Sequence, residues 1–542
     1  MKSYIIVLVT LLSLVQCQGR TASGKDQSLR FTSANARDTS ITPASAFTQL
    51  KIDSLQMENY LQQQNVSASR ADELRHFYNS RNYQFAWFTE DGLAEHTPVY
   101  WNRLSRYLQV TKDSTLYNKN LFAYMQQVLE DHSPAEVNNK ETALAELSLT
   151  RNFFNYAEKA YEGILNPKEM QWHIPRKKVD AITLLDSLVR TQELSLSDIE
   201  PLSQGYKALQ KELLRYYSLQ KEETWAPISL SGKKAYRTGD KGPVVTALKQ
   251  RLAALGDLDQ LDTASHYNEV VTNAVKRFQQ RHGLKPDGVV GPKALQALNT
   301  PVETRIQQLL INMERQRWLP QQQGKQIVAN IPEFKLHIYE NGREVFSTDV
   351  VVGKAATRTV VFADELKYIV FSPYWNLPRS IVRNEVLPAM ERNPSYLKQQ
   401  NMEITGYSNG LPVIRQKPGK GNALGAVKFL FPNQYSIYFH DTPAKSLFNR
   451  QKRAFSHGCI RLQKPFEMAQ YLLKGRREWT DERIRQAMNS HSEKWVTLEE
   501  SIPVFIIYLT AWVDQNGTLN FRDDIYGHDR KMAAKLFQHS DH

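Results

Sequence analysis

The apolar residues of this 542-residue chain change their spacing near residue 330, and that change divides what the chain can become. Between about residues 46 and 224 they recur at helical intervals, as in Leu50, Leu55 and Leu61, in Leu74, Phe77 and Tyr78, and in Tyr206, Leu209, Leu213 and Tyr217. That is the period of helices burying one face. Beyond residue 330 the period is two. Phe334, Leu336 and Ile338 alternate with Lys335, His337 and Tyr339, and Asn341-Gly342 offers a hairpin turn before residues 345–352. His337 falls on the polar side of that first strand and reads as structural. Two periods in one chain of this length predict an α+β multidomain protein with about three or four units, helical first and mainly β later.

Punctuation refines the plan. Residues 1–17 open with a short positive start, Met1-Lys2, and an apolar stretch at 4–15, too short to span a bilayer and suited to a signal peptide. They end at Cys17, where Leu14-Val15-Gln16-Cys17 is similar to a lipoprotein cleavage box with Gln16 in place of the usual small residue. A lipid on Cys17 would attach the chain to a membrane; cleavage without lipid is the rival expectation. Residues 18–45 are rich in Ser, Thr and Ala and read as a tether. A helical domain is expected over 46–232. Its aromatic stretch 83–88 has the composition of a sugar contact, but core packing is the simpler reading. Pro227 and Gly232 mark a boundary. Over 233–300 three helical pieces follow: Val245, Leu248, Leu252 and Leu255; Val271, Ala274, Val275 and Phe278; and a third opened by Pro292 at a first helical position. Residues 301–325 predict a connecting helix carrying Arg305, Arg315, Arg317 and Trp318. The β unit spans 326–512, interrupted at about 379–426 by a helix-like piece and a Gly-rich loop. Residues 513–542 read as a hairpin at Asn516-Gly517 and a polar tail.

The formal net charge of +13 calls for an anionic partner, which nucleic acid, a lipid surface or an acidic wall polymer would each satisfy. No zinc-ligand cluster, phosphate loop, dinucleotide fingerprint or nucleic-acid motif is present, and export argues against nucleic acid. No metal and no cofactor is expected.

The chain has two cysteines, and the second, Cys459, is the sole thiol expected in the folded body. In an exported protein a lone cysteine is either a buried small hydrophobe or a reactive group. Its surroundings, Ser456-His457-Gly458-Cys459-Ile460-Arg461-Leu462, preceded by His440-Asp441-Thr442-Pro443, favour reaction, because a thiol attacks as thiolate and needs a base or a cation beside it. His457 precedes Cys459 by two residues (459 − 457 = 2) and would share its face if the backbone were extended, with Gly458 allowing close approach of a ligand. His440 precedes it by nineteen (459 − 440 = 19) and would have to come from a neighbouring strand, reached through Tyr435, Ile437 and Phe439.

These motifs resemble the active-site signature of the L,D-transpeptidases, enzymes with a YkuD-type catalytic domain, and the longer match resembles their large YcbB-like subgroup. Supporting stretches are Pro373-Tyr374-Trp375-Asn376-Leu377-Pro378, Lys417-Pro418-Gly419 with Asn422-Ala423-Leu424-Gly425, Lys428-Phe429-Leu430-Phe431-Pro432-Asn433 and Phe521-Arg522-Asp523-Asp524-Ile525-Tyr526-Gly527. The resemblance covers most of the chain after about residue 230. It implies a mainly β YkuD-like catalytic domain over 326–512 with a capping subdomain at about 379–426. It also implies a helical scaffold domain at 46–232, and the three helices of 233–300 resemble a small peptidoglycan-binding module.

The implied activity is peptidoglycan crosslinking in the periplasm through a cysteine thioester. Cys459 is the nucleophile, His440 the base, the Asp441 carbonyl its orienting partner, and the amides near Gly458 and Cys459 the oxyanion donors. His457 is a second candidate. Arg461 either binds a stem-peptide carboxylate or braces the motif, while Trp375, Tyr374 and Asn422 line the donor cleft. The partners are stem peptides and glycan, and acylation by carbapenem-type β-lactams is expected. Two alternatives remain open: a cell-wall cysteine endopeptidase or carboxypeptidase, and a non-catalytic peptidoglycan-binding scaffold.

Overall fold

The structure, a computed structural model, describes residues 48–130, 139–175, 178–190, 202–221, 226–261, 264–320 and 324–537. The signal peptide, Cys17 and the tether expected over residues 1–45 lie outside the described residues. The chain divides into two compact units, residues 1–85 and 86–542. In the first, helices Ser54–Gln63 and Ala68–Ser80 follow one another. Asp53 opens the first of them with a capping box, its carboxylate accepting from the Leu55 amide while Gln56 accepts from the Asp53 amide.

The second unit begins with helices His96–Thr111, Lys119–Glu130, Lys140–Ala157, Ala181–Arg190 and Gln204–Lys221. Trp87 and Phe88, from the aromatic stretch, are fully buried, and the Trp87 indole donates to Thr150 Oγ1 at 2.9 Å, so these two rings are core. Three more helices follow at Pro243–Ala254, Glu269–Arg281 and Pro292–Leu298, with Val245, Leu248, Leu252, Ala274, Val275 and Phe278 all inaccessible to solvent. The expected connector is helix Val302–Trp318, but it is more than a connector. Ile306, Leu309 and Met313 belong to the core of the helical part, Ile311 and Trp318 to that of the β part. Arg315 and Arg317 are buried as ion pairs with Asp529 (2.6 Å) and Glu314 (2.7 Å).

The β part is a closed barrel of eight strands: β1 Lys325–Asn330, β2 Lys335–Glu340, β3 Arg343–Gly353, β4 Val361–Phe371, β5 Val427–Leu430, β6 Phe439–His440, β7 Ile460–Leu462 and β8 Lys494–Ile507. Their order around the wall is β5-β6-β7-β3-β2-β1-β8-β4, and β4 pairs back to β5 to close it. Inward residues such as Leu336, Val350, Ile369, Phe429, Phe439, Ile460 and Val504 fill the interior. Closure leaves no barrel edge exposed between β4 and β5.

Between β4 and β5 a small cap stands on its own core of Leu377, Ile381, Val382, Val386 and Ile414. Its antiparallel sheet places Leu411–Gln416 between Trp375–Asn376 and Met402–Ser408, so its first strand precedes residue 379. The helix-like piece runs from Arg379 to Arg392, with a π-turn at Val382–Val386 directly ahead of Pro388. The proline ring cannot accept the ordinary backbone bond pattern, and the wider turn absorbs the misfit. The polar tail also differs from expectation. After the hairpin Ala511–Val513 with Leu519–Phe521, residues His528–Leu536 form a helix whose start is held by Asp524, which accepts the amides of His528 and Asp529.

Candidate active site

Strands β6 and β7 run parallel, with Phe439 opposite Ile460 and His440 opposite Arg461. Phe439 and Ile460 point into the barrel and are inaccessible, so the residues alternating with them, Tyr438, His440, Cys459 and Arg461, stand together on the outer wall. The strand leading to His440 is shorter than the sequence predicts. Asn433 knits residues 431–437 into a loop, donating to the carbonyls of Phe431 (2.6 Å) and Ile437 (2.7 Å) and accepting the amides of Tyr435 and Ile437.

Cys459 is a free thiol, only partly covered, and its Sγ lies 3.6 Å from the Ser436 carbonyl. Packing around it pushes the thiol above its usual range, while the amide and hydroxyl of Tyr438 and the charge of Arg461 pull it back. Burial pushes the Tyr438 hydroxyl up, and the nearby Trp375 indole works against that shift. The cap strand carrying Trp375 thus reaches the sulfur through one tyrosine.

His440 is buried and its Nδ1 is 2.5 Å from the Asp441 carbonyl. A carbonyl only accepts, so Nδ1 carries the proton. The Leu424 carbonyl also borders the ring. Burial first, and then the neighbouring Arg461 charge, hold this imidazole down to about 3, so it is neutral at physiological pH. Both shifts favour the thiol and the neutral imidazole as the resting pair. The Asp441 carboxylate takes no part in the site: it accepts the Ala426 amide at 2.9 Å and pairs with Lys445 at 2.6 Å. Gly425, at φ +64°, is required there, because a Cβ would lie 2.3 Å from Asp441 Oδ2.

The segment leading to the sulfur is pinned from below. Ser456 Oγ donates to the Cys459 carbonyl at 2.6 Å and accepts the Gly458 amide at 3.1 Å. The Gly458 amide is thus occupied by Ser456, whereas the Cys459 amide has no partner among the described residues. Thr357 and Thr359 donate to the carbonyls of Ser456 (3.0 Å) and Gly458 (2.8 Å). Tyr526 fastens that threonine loop by donating to the Gly353 carbonyl at 2.5 Å and accepting the Thr359 amide at 3.3 Å.

Two expectations are corrected by this geometry. His457 does not share a face with Cys459, because residues 457–459 form a bend with Gly458 at φ +119°; its Nε2 instead meets Glu385 of the cap at 3.1 Å. Asn422 does not line a cleft. It is 1 % exposed, donates to the carbonyls of Pro373 and Lys417 (3.0 Å each) and accepts the Leu424 amide at 2.8 Å, which makes it a brace for the Gly-rich loop. Tyr374 lies beneath the Arg415 guanidinium at 4.3 Å, at the base of the cap. Arg461 forms no ion pair among the described residues, and its buried Nε has no hydrogen-bond partner. Tyr438 and Thr359 are not marked by the sequence motifs, and Ser456 and Tyr526 enter only as members of them. For Tyr438 the signal existed, since it lies two residues before His440 and must share its face.

A partly open thiol, a neutral imidazole and an unpaired guanidinium on one barrel wall, joined to a cap, define a cysteine site suited to acyl transfer. The L,D-transpeptidase catalytic domain family, YkuD, matches residues 324–480, a scaffold domain family matches 72–213, and a peptidoglycan binding domain family matches 241–298. A Haemophilus influenzae protein named "Putative L,D-transpeptidase" is 34% identical over 250 residues, which are 43% of this chain and 50% of that protein. The match thus spans about half the length of that relative. Solved L,D-transpeptidases from Xylanimonas cellulosilytica (17% identity, 51% of this chain and 98% of that one, TM-score 0.17) and Stackebrandtia nassauensis (15%, 51% and 96%, 0.22) are also similar. Residues 324–480 are a YkuD-type L,D-transpeptidase catalytic domain, carried with a scaffold domain and a peptidoglycan-binding domain.

Proposed function

We propose that the protein is a peptidoglycan L,D-transpeptidase of the large, YcbB-like subgroup. The observation that supports this most is the shared outer wall of Cys459, His440 and Arg461, set beside the cap within a matched catalytic domain. In the first step His440 removes the Cys459 proton as sulfur attacks the carbonyl of the third residue of a stem tetrapeptide. The tetrahedral oxyanion is met by the Cys459 amide, and its collapse expels D-alanine, which leaves with the proton from His440. In the second step an acceptor amine attacks the thioester, gives its proton to His440 and releases the thiol. Because His440 is so weak a base at rest, proton transfer and attack belong to one event rather than to a preformed ion pair. Arg461, a cation without an internal partner, is suited to a stem carboxylate.

Peptidoglycan is the expected partner of residues 241–298, carbapenem-type β-lactams are expected to acylate Cys459, and the protein is expected to be exported with a lipid on Cys17. Mass spectrometry of the mature N-terminus tests the last point, and an unacylated end rejects it. For the activity, incubation with disaccharide-tetrapeptides should yield dimers joined through third-position residues, and Cys459→Ala should yield none. Trimmed monomers alone would assign hydrolysis instead.

A further inference from the structure

Trp495 on β8 pairs with Val370, Val370 with Lys428, Lys428 with His440, and His440 with Arg461. These five residues form one row around the barrel, and register partners share a face. The row therefore carries the outer wall from the catalytic residues to an indole that is 51% exposed. That ring is held in place. Its Nε1 donates to Glu493 Oε2 at 2.9 Å, Tyr368 meets it edge-on at 5.8 Å, and the Lys428 ammonium lies 5.3 Å from its centre. Beside it a hollow of about 540 Å³ is lined by Arg476, Glu478, Trp479, Arg483 and Lys494, with Glu478 paired to Arg476 at 3.0 Å. Arg483 and Lys494 make no ion pair among the described residues, so the rim offers uncommitted positive charge.

Resting on the reading above, we propose that Trp495 and this hollow form a subsite for the saccharide end of the donor, with a sugar ring on the indole face and stem carboxylates at Arg483 and Lys494. An exposed, immobilised aromatic ring suits an amphipathic ring face, and the cations suit the acidic stem. The spacing agrees. Three strand steps separate Trp495 from His440, about 14 Å along the wall at the usual interstrand distance. The scissile carbonyl belongs to the third stem residue, and three extended residues cover about 10 Å. The remainder leaves room for the link to the sugar.

The test uses the full chain with Cys459→Ala, which holds donor without turning it over. Calorimetry compares binding of the disaccharide-tetrapeptide with that of the free tetrapeptide. The disaccharide form should bind about tenfold more tightly, Trp495→Ala should erase that difference by weakening only the disaccharide form, and Trp495→Phe should keep most of it. An advantage that survives Trp495→Ala, or one absent from the start, overturns the subsite and leaves the transpeptidase reading standing. Failure to bind either ligand overturns the donor assignment itself.

Discussion

His440 and Arg461 are register partners on adjacent parallel strands, so a guanidinium without an acidic partner stands beside a buried imidazole. Burial first, and then this neighbouring charge, keep the imidazole unprotonated at physiological pH. A His whose folded value is depressed to about 3 from 6.5 binds its proton only when unfolded over that window, so its share of stability is present above 6.5 and is lost as pH falls toward 3. Acylation of Cys459 by a carbapenem should therefore show no acid limb between pH 5 and 7.5. Arg461→Gln should move an acid limb upward, toward 6.5. Stopped-flow acylation rates check both, and a wild-type limb near 6.5 contradicts the assignment.

Tyr438 supplies the hydroxyl that faces the sulfur, and the Trp375 indole lies next to that hydroxyl. A hydrogen bond to a charged group contributes about 1.5–3 kcal/mol. Tyr438→Phe should slow acylation about 10- to 100-fold while the unfolding midpoint changes little. Trp375→Phe should do less, since it removes only the indole next to the hydroxyl. Equal rates in wild type and Tyr438→Phe would remove the tyrosine from the account.

Gly353 is where the threonine loop and the barrel come closest: a Cβ there would lie 2.1 Å from the Thr357 carbonyl oxygen. Gly353→Ala should cost about 1–3 kcal/mol by overpacking and should slow acylation, because Thr357 and Thr359 hold the Ser456 and Gly458 carbonyls. Gly421→Ala, with open space around it, is the matched control and should be silent in thermal unfolding.

His337 bridges Glu333 (3.2 Å) and Glu344 (2.9 Å), and although burial opposes its charge, the two carboxylates raise it to about 9. Its contribution to stability is full below 6.5 and is lost as pH rises through 9, on the order of 3 kcal/mol for a shift of this size. Glu333 and Glu344 are held low by the same contacts, so their contribution is lost on acidification instead. Urea unfolding of wild type should lose stability between pH 6.5 and 9.5, and His337→Gln should be nearly flat there. The same slope in both proteins would contradict the ion cluster.

Much of the fold was legible because its signals are local. The second and third helices of the module begin at Asn268 and Gly291-Pro292, an N-cap and a first-position proline, and Asn341-Gly342 turns at φ +49° and +80° as a hairpin of this kind requires. Asn409-Gly410 gives the same signal at +49° and +74° and turns the cap hairpin, yet it lay inside a stretch read only as helix and loop. The terminal helix at 528–536 was hidden because Met532 is its sole buried residue, so no apolar period marks it. At the site, the placing of Cys459 and His440 at adjoining strand ends followed from residue order. His457 and Asn422 did not, since a single positive φ at Gly458 and the burial of one amide are tertiary facts. The support from Tyr526 to Gly353, 173 residues away in sequence, has no local trace.

The central claim is that Cys459 carries the acyl group. Intact-protein mass spectrometry during turnover of a disaccharide-tetrapeptide, followed by peptide mapping, reads this directly. The account predicts an adduct of donor minus D-alanine on Cys459, released by hydroxylamine and absent from Cys459→Ala. Dimer formation with no such adduct, or an adduct on any other residue, contradicts it.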